Sequence, residues 1–232
     1  MADVRSEMVQ FANDGRQVAG YLARPSTEGA PGVIVIQEWW GLVDHIKDVA
    51  DRFARDGFVA LAPDLYEGKQ TEEPDNARKL VMEMDRARAM SDLEAAARYL
   101  RSIGCRRIGA VGYCMGGGLV WELATRQGTI DAAAPYYGRP ISADRAGDVS
   151  IPVEAFYAEL DQGIPVAGVQ EVVTALRNAG KDADLHVYEG AEHAFFNDSR
   201  PSSYHADASA DAWRRTLAFF RRTLGEPAGI TS

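Results

Sequence analysis

Two rhythms of apolar residues alternate along the chain. Short β-branched runs recur at Val33–Gln37, Phe58–Ala62, Arg107–Val111, Ile130–Pro135, Val153–Tyr157 and Asp184–Tyr188. Continuous apolar runs of this length suit strands buried on both faces of a sheet. Gln17–Ala23 alternates in part and reads as an earlier strand. Between these runs the spacing turns helical. Asp44–Asp56 carries Ile46, Val49, Ala50 and Phe53 on one face and stops at Gly57, as helices commonly do. Arg78–Ile103 reads as two helices broken near Met90-Ser91, with Ser91-Asp92-Leu93-Glu94 as a capping box for the second. Gly116–Arg126, Val166–Asn178 and an amphipathic Ala206–Leu224 complete the helices, and 189–203 reads as a loop. Strand–helix alternation predicts βαβ units: an α/β fold with a mostly parallel sheet flanked by helices. Ligands of such sheets bind beyond the carboxyl ends of the strands.

A chain of 232 residues suits one domain, read here as 1–232. The formal net charge of −9 argues against nucleic acid as the main partner. No run is long and apolar enough to span a bilayer, and Met1–Glu7 lacks the layout of a signal peptide. The expected location is the cytoplasm. The only cysteines, Cys105 and Cys114, lie at different strand ends, which disfavours a structural disulfide or a zinc site. Neither a metal nor an organic cofactor is expected.

The segment Gly112-Tyr113-Cys114-Met115-Gly116 lies between a predicted strand and a predicted helix. It is a Gly-x-nucleophile-x-Gly elbow with cysteine as the nucleophile. The flanking residues must be small because strand and helix backbones nearly touch at so sharp a turn. Helix N-terminal N–H groups favour a thiolate at Cys114, and the Met115 N–H is placed to donate to an oxyanion. The bland alternative is a buried cysteine in a packing turn.

Elbow enzymes carry their acid and histidine downstream of the nucleophile, in that order. Asp161 follows the strand ending near Tyr157, and His193 follows the last strand. His193 is the expected general base, and Asp161 the carboxylate that orients it. Asp161 could instead cap the following helix, and Glu159 is a rival acid. The other histidines are placed less well: His45 at a helix start, His186 within a strand and His205 beside the closing helix.

Gln37-Glu38-Trp39-Trp40-Gly41 ends an earlier strand, where such enzymes take their second oxyanion donor, here the Trp39 N–H. A charge at Glu38 beside two tryptophans is unusual, although glutamates are mostly at the surface. With this segment the chain resembles the dienelactone hydrolase (carboxymethylenebutenolidase) family. The resemblance also rests on Ala62–Tyr66, Asp92–Ala96, Gly109–Gly117, Tyr136-Tyr137-Gly138 and Ala191–Phe195. It implies the α/β-hydrolase fold and a Cys114–His193–Asp161 triad acting on a small-molecule ester or lactone. It also implies that Glu38 holds the resting thiol and accepts its proton when substrate arrives. The reason would be protection, because a permanently exposed thiolate oxidises.

The resemblance further implies two arginines that grip a substrate carboxylate. One matches Arg78. The position of the other, four residues past the histidine, holds Asn197, with Arg200 nearby. Asparagine cannot form a bidentate charged pair with a carboxylate, so the natural substrate is left open. Trp39, Trp40, Tyr113, Tyr136, Phe195 and Phe196 are expected to line an apolar pocket, with core packing as the alternative for several. Two other functions compete, a redox-active thiol protein and a non-catalytic binding module, because fold alone does not settle function. Oligomeric state is not readable from the sequence.

Overall fold

The computed structural model describes residues 3–225. Met1 and Ala2 of the N-terminal segment, and the end of the 1–232 domain beyond 225, lie outside the described residues. One sheet of eight strands runs in the order β1-β2-β4-β3-β5-β6-β7-β8. The strands are β1 Val4–Asn13, β2 Arg16–Pro25, β3 Gly32–Ile36, β4 Val59–Pro63, β5 Ile108–Tyr113, β6 Ala132–Tyr136, β7 Val153–Ala158 and β8 Ala183–Tyr188. From β4 to β8 all pairings are parallel, whereas β1–β2 and β2–β4 are antiparallel.

Every residue of β3, β4, β5, β6 and β7 is buried, because helices cover both faces. The strict alternation of side chains still sorts them into two cores. Ile34, Ile36, Leu61, Ile108 and Ala110 pack with α3 (Arg86–Ser102), α4 (Met115–Ala124) and α5 (Val166–Asn178) through Leu93, Leu100, Val120, Val169 and Leu176. Val33, Val35, Ala60, Val111 and Tyr113 face α1 (Asp44–Arg55) and α6 (Ala206–Leu224) through Val49, Phe53, Leu217 and Phe220. Among the described residues, no helix is long and apolar enough to cross a membrane.

Three features depart from the sequence expectation. β1 was not anticipated. It pairs with β2 through a two-residue turn, Asp14-Gly15, with φ of 47° and 78°. Asp-Gly is a strong signal for such a hairpin, but the mostly exposed, polar β1 carries little apolar pattern. The break between α2 (Pro74–Glu83) and α3 falls at Met84-Asp85 rather than at Met90-Ser91. Asp85 is the cap, accepting from the Arg88 N–H at 3.1 Å. Ser91 lies inside α3, and its Oγ accepts from the Asn13 side chain at 2.9 Å. A short 3₁₀ turn, Ala143–Asp148, was also unforeseen. D85A should therefore lower stability by about 1 kcal/mol in urea unfolding, with little change in the slope against urea.

Candidate active site

Strand order reverses at β3, whose neighbours are β4 on one side and β5 on the other. The loops leaving β3 and β5 therefore meet at a crevice. The meeting is backbone on backbone. A Cβ on Gly112 would lie 2.4 Å from the Gly116 carbonyl oxygen. One on Gly116 would lie 2.4 Å from the Ile36 oxygen and 2.5 Å from that of Gln37. On the far side, Gly117 abuts the Tyr136 oxygen at 2.4 Å, and Gly138 abuts Gly117 in turn. The elbow is thus clamped between the loops that follow β3 and β6.

Cys114 sits at the tip of this elbow as the N-cap of α4, with φ 54° and ψ −115°. Its N–H donates to the Tyr136 oxygen at 3.1 Å. Two more non-glycine residues near the site have positive φ: Tyr137 (34°), just past β6, and Ala194 (64°), next to His193. Strained backbone of this kind survives only where its surroundings impose it, and it clusters at functional sites.

His193 and Asp161 come together as expected. Nδ1 of His193 lies 2.6 Å from Oδ2 of Asp161. The carboxylate is buried while the imidazole is 37% exposed, so the ring can meet a ligand and its partner cannot. Oδ1 of Asp161 accepts from the N–H groups of Gly163 and Ile164, both at 2.9 Å. These bonds make a tight turn, whereas α5 itself starts without a side-chain cap, so Asp161 does not cap a helix. Burial pushes the Asp161 pKa up, but the bond to His193 and the two N–H bonds outweigh it and hold the group low. For His193, burial works downward. The bond to Asp161 and the neighbouring Cys114 sulfur overcome it and raise the pKa to about 10. Glu159, the rival acid, is exposed and accepts from the Gly190 N–H at 2.9 Å.

Glu38 is buried in the loop after β3. Its Oε2 accepts from Asn197 Nδ2 at 2.6 Å, and its Oε1 from the Tyr137 hydroxyl at 3.4 Å. Among the described residues, these are the hydrogen-bond partners of its side chain, and Cys114 is not one of them. Burial raises its pKa most. Opposing that, in falling order, are the charge of His45, the bond from Asn197, and the charges of His193 and Arg200.

The residues expected to hold substrate separate into three groups. Tyr113, Tyr136 and Phe195 are fully buried. With Phe196 they form an aromatic core beneath the site, Tyr113 stacking on Phe196 at 5.1 Å and the Tyr136 hydroxyl bonding Thr216 at 2.6 Å. Packing, not ligand contact, accounts for them. Asn197 is buried and turned towards Glu38, its Oδ1 accepting from the N–H and hydroxyl of Ser199. Arg78 is exposed on α2 and pairs with Asp75 at 3.1 Å, so its recorded contacts are with its own helix. Near the crevice remain Trp39, half-buried, and Trp40, with the Arg200 guanidinium 3.5 Å above the Trp40 ring centre. Met115 accepts from the Tyr66 hydroxyl at its sulfur, 3.2 Å away.

Tyr137 and His45 carry roles that the sequence reading did not give them. Tyr137 contacts both Glu38 and the His193 ring, 5.2 Å between centroids. His45, read as a helix-start residue, is buried and paired with Asp198 at 3.1 Å. Only the placement of a charge as costly as Glu38 hinted that it needed such company. The other histidines are structural: His186 pairs with Glu154 at 2.9 Å, and His205 caps α6. Cys105 is buried at the opposite end of β5, where burial raises its pKa to about 11. No group of three His, Cys, Asp or Glu residues able to hold a metal occurs among the described residues.

Comparison with known proteins agrees with this arrangement. The family model described as "Dienelactone hydrolase family" matches residues 18–224. "Protein usf" of Aquifex pyrophilus is 39% identical, over 94% of this chain and 99% of its own length. A protein of Aquifex aeolicus named "Putative carboxymethylenebutenolidase" is 33% identical, over 94% and 99%. Among solved structures, the "Putative Dienelactone Hydrolase" of Klebsiella pneumoniae superposes with a TM-score of 0.87 at 31% identity, covering 95% of this chain and 99% of that one.

Removing the Asp161 carboxylate tests the electrostatics directly. In D161N the His193 ring should lose its main stabilising partner, and its pKa should fall from about 10 towards the ordinary histidine value of about 6.5, as read by NMR titration. The linkage signs oppose each other. The His193 contribution to stability is complete below about 6.5 and fades as pH rises towards its folded pKa, whereas that of Asp161 is present above about 3.9 and fades as pH falls.

Proposed function

The chain belongs to the dienelactone hydrolase family, and on that footing we propose that it hydrolyses esters or lactones through an acyl-enzyme on Cys114. The supporting observation is the 2.6 Å pairing of half-exposed His193 with buried Asp161, beside a cysteine held at a strained elbow. The Cys114 sulfur attacks the acyl carbon. The carbonyl oxygen takes up the electron pair and is met by the N–H groups of Met115 and Trp39, from segments that Gly116 lets touch. As the tetrahedral species collapses, His193 Nε2 gives a proton to the leaving alkoxide. In the second half, His193 removes a proton from water, which attacks the thioester and releases the acid and the thiol. Asp161 holds Nδ1–H throughout, keeping Nε2 towards the reacting atoms.

Glu38 acts before the attack. It accepts the thiol proton when substrate enters, and its burial suits it to that task, because a desolvated carboxylate binds a proton more readily than a solvated one. Asn197, turned away on Glu38, supplies no positive charge to a substrate. Arg200, flat on Trp40, is the cation placed to face one. The reactants are small molecules. Neither nucleic acid nor membrane enters this reading, the protein works in the cytoplasm, and no metal or organic cofactor is required.

C114A and H193A should each lose about 10³-fold or more in kcat/KM for p-nitrophenyl acetate, with unchanged circular dichroism. Turnover near the wild-type rate in either would remove the triad from the mechanism. A thiol-blocking reagent should abolish wild-type turnover. Peroxide-driven dimerisation without turnover would instead favour the redox reading, and inertness the binding module. E38Q should cost about 10²-fold in kcat/KM while the melting temperature holds or rises, because a buried charge is removed.

A further inference from the structure

Behind Glu38 lies a chain of charges that the triad does not use. Glu38 and His45 stand seven positions apart, one in the loop after β3 and the other in the first turn of α1, and both are buried. The loop after His193 binds both of them through successive residues. Asn197 donates to Glu38 at 2.6 Å, and Asp198 meets His45 Nδ1 at 3.1 Å. Asp198 is itself pinned by the Arg52 guanidinium, which Asp48 holds at 2.6 Å. The Asn197 amide has one orientation open to it, because Ser199 occupies its oxygen. The second nitrogen of His45, Nε2, is buried without a hydrogen-bond partner, unusual for a buried polar atom. Of the charges that reach Glu38, the imidazole of His45 acts most strongly, ahead of His193 and Arg200.

We propose that His45 is a positioning residue that keeps Glu38 ionised, its ring fixed by Asp198 and Arg52 so that a proton on Nε2 places positive charge beside the carboxylate. An isolated carboxylate in this pocket would neutralise itself. A neutral Glu38 already holds a proton and cannot take the one from Cys114. His45 offsets that cost without touching substrate. The titratable and charged groups facing Glu38 are His45, His193, Arg200 and the phenols of Tyr113 and Tyr137. Only His45 among them belongs to neither the triad, the crevice rim nor the phenol pair. The inference rests on the reading of Glu38 as the acceptor of the thiol proton, and it extends that reading to what sets the acceptor's charge.

The test separates the two. In protein carrying ¹³C-carboxyl glutamate, the signal missing from E38Q assigns Glu38, and its titration is followed in wild type and H45Q. The acid limb of kcat/KM for p-nitrophenyl acetate is measured alongside. In H45Q, Glu38 should titrate about one pH unit higher, a tenfold smaller ionised fraction on the acid side. The acid limb should move with it, and kcat/KM should return to within about twofold of wild type once the pH exceeds the new midpoint. In an E38Q background, H45Q should add nothing to the loss. If Glu38 titrates at the same pH in H45Q as in wild type, the inference is overturned. If its titration moves while the acid limb stays, His45 controls the carboxylate but Glu38 is not the thiol's base. Should H45Q fail to fold, D198N decides in its place. It removes the carboxylate that fixes the ring and lies at the half-exposed end of the chain. A rise in the Glu38 midpoint supports the inference, and an unmoved midpoint overturns it.

Discussion

Everything at the site depends on a stack of backbones with no side chains between them. Gly112 faces Gly116, Gly116 faces Ile36 and Gln37, and Gly117 faces Tyr136 and Gly138, all at separations that a single methyl would violate. This contact puts the start of α4 against the loop after β3, and so brings the Met115 and Trp39 N–H groups to one crevice. It also holds Cys114 at a φ that cysteine does not choose. The strain is sustained by two buried cores, one on each face of the sheet. A structure less densely braced would relax the elbow and lose the aim of the sulfur.

The elbow was readable because its chemistry and its geometry demand the same residues. A nucleophile between glycines at a strand–helix junction has few other uses, and the downstream order of Asp161 and His193 follows from the sheet topology. The parallel strands were readable for a similar reason: burial on both faces leaves a continuous apolar run. β1 escaped because it is exposed and polar on most of its length, although the Asp14-Gly15 turn pointed to a hairpin. The helix break was misplaced because Ser91–Glu94 has the form of a capping box while Asp85 performs the capping. A local motif cannot say which of two candidate breaks tertiary packing will use. Tyr113, Tyr136 and Phe195 fell to the core for the same reason. Aromatic residues beside a catalytic motif serve a pocket or a foundation equally well, and only burial distinguishes them.

Asn197 shows most clearly what sequence comparison leaves out. Set against the family's arginine, it reads as the loss of a substrate contact. In the fold it is an internal donor, locked by Ser199 and aimed at Glu38. The substitution exchanges a cation that could face outward for an amide that faces inward. Recognition of an anionic substrate is left to Arg200, which stacks on Trp40 and still places charge near Glu38. Specificity and acid–base control are therefore coupled through one carboxylate.

That coupling constrains how the site can vary. Glu38 lies at the meeting point of the β3 loop, the loop after β6 through Tyr137, the loop after His193 through Asn197, and α1 through His45. Burial alone would leave it protonated and inert as a base. Each neighbour that donates a bond or contributes positive charge pulls it back towards ionisation. A change in substrate that brought its own negative charge beside Arg200 would weaken one of those influences and push Glu38 back towards neutrality. A neutral ester would not. The arrangement of charges thus favours acyl groups that carry no carboxylate next to the reacting carbon, independently of whether an arginine is free to bind one.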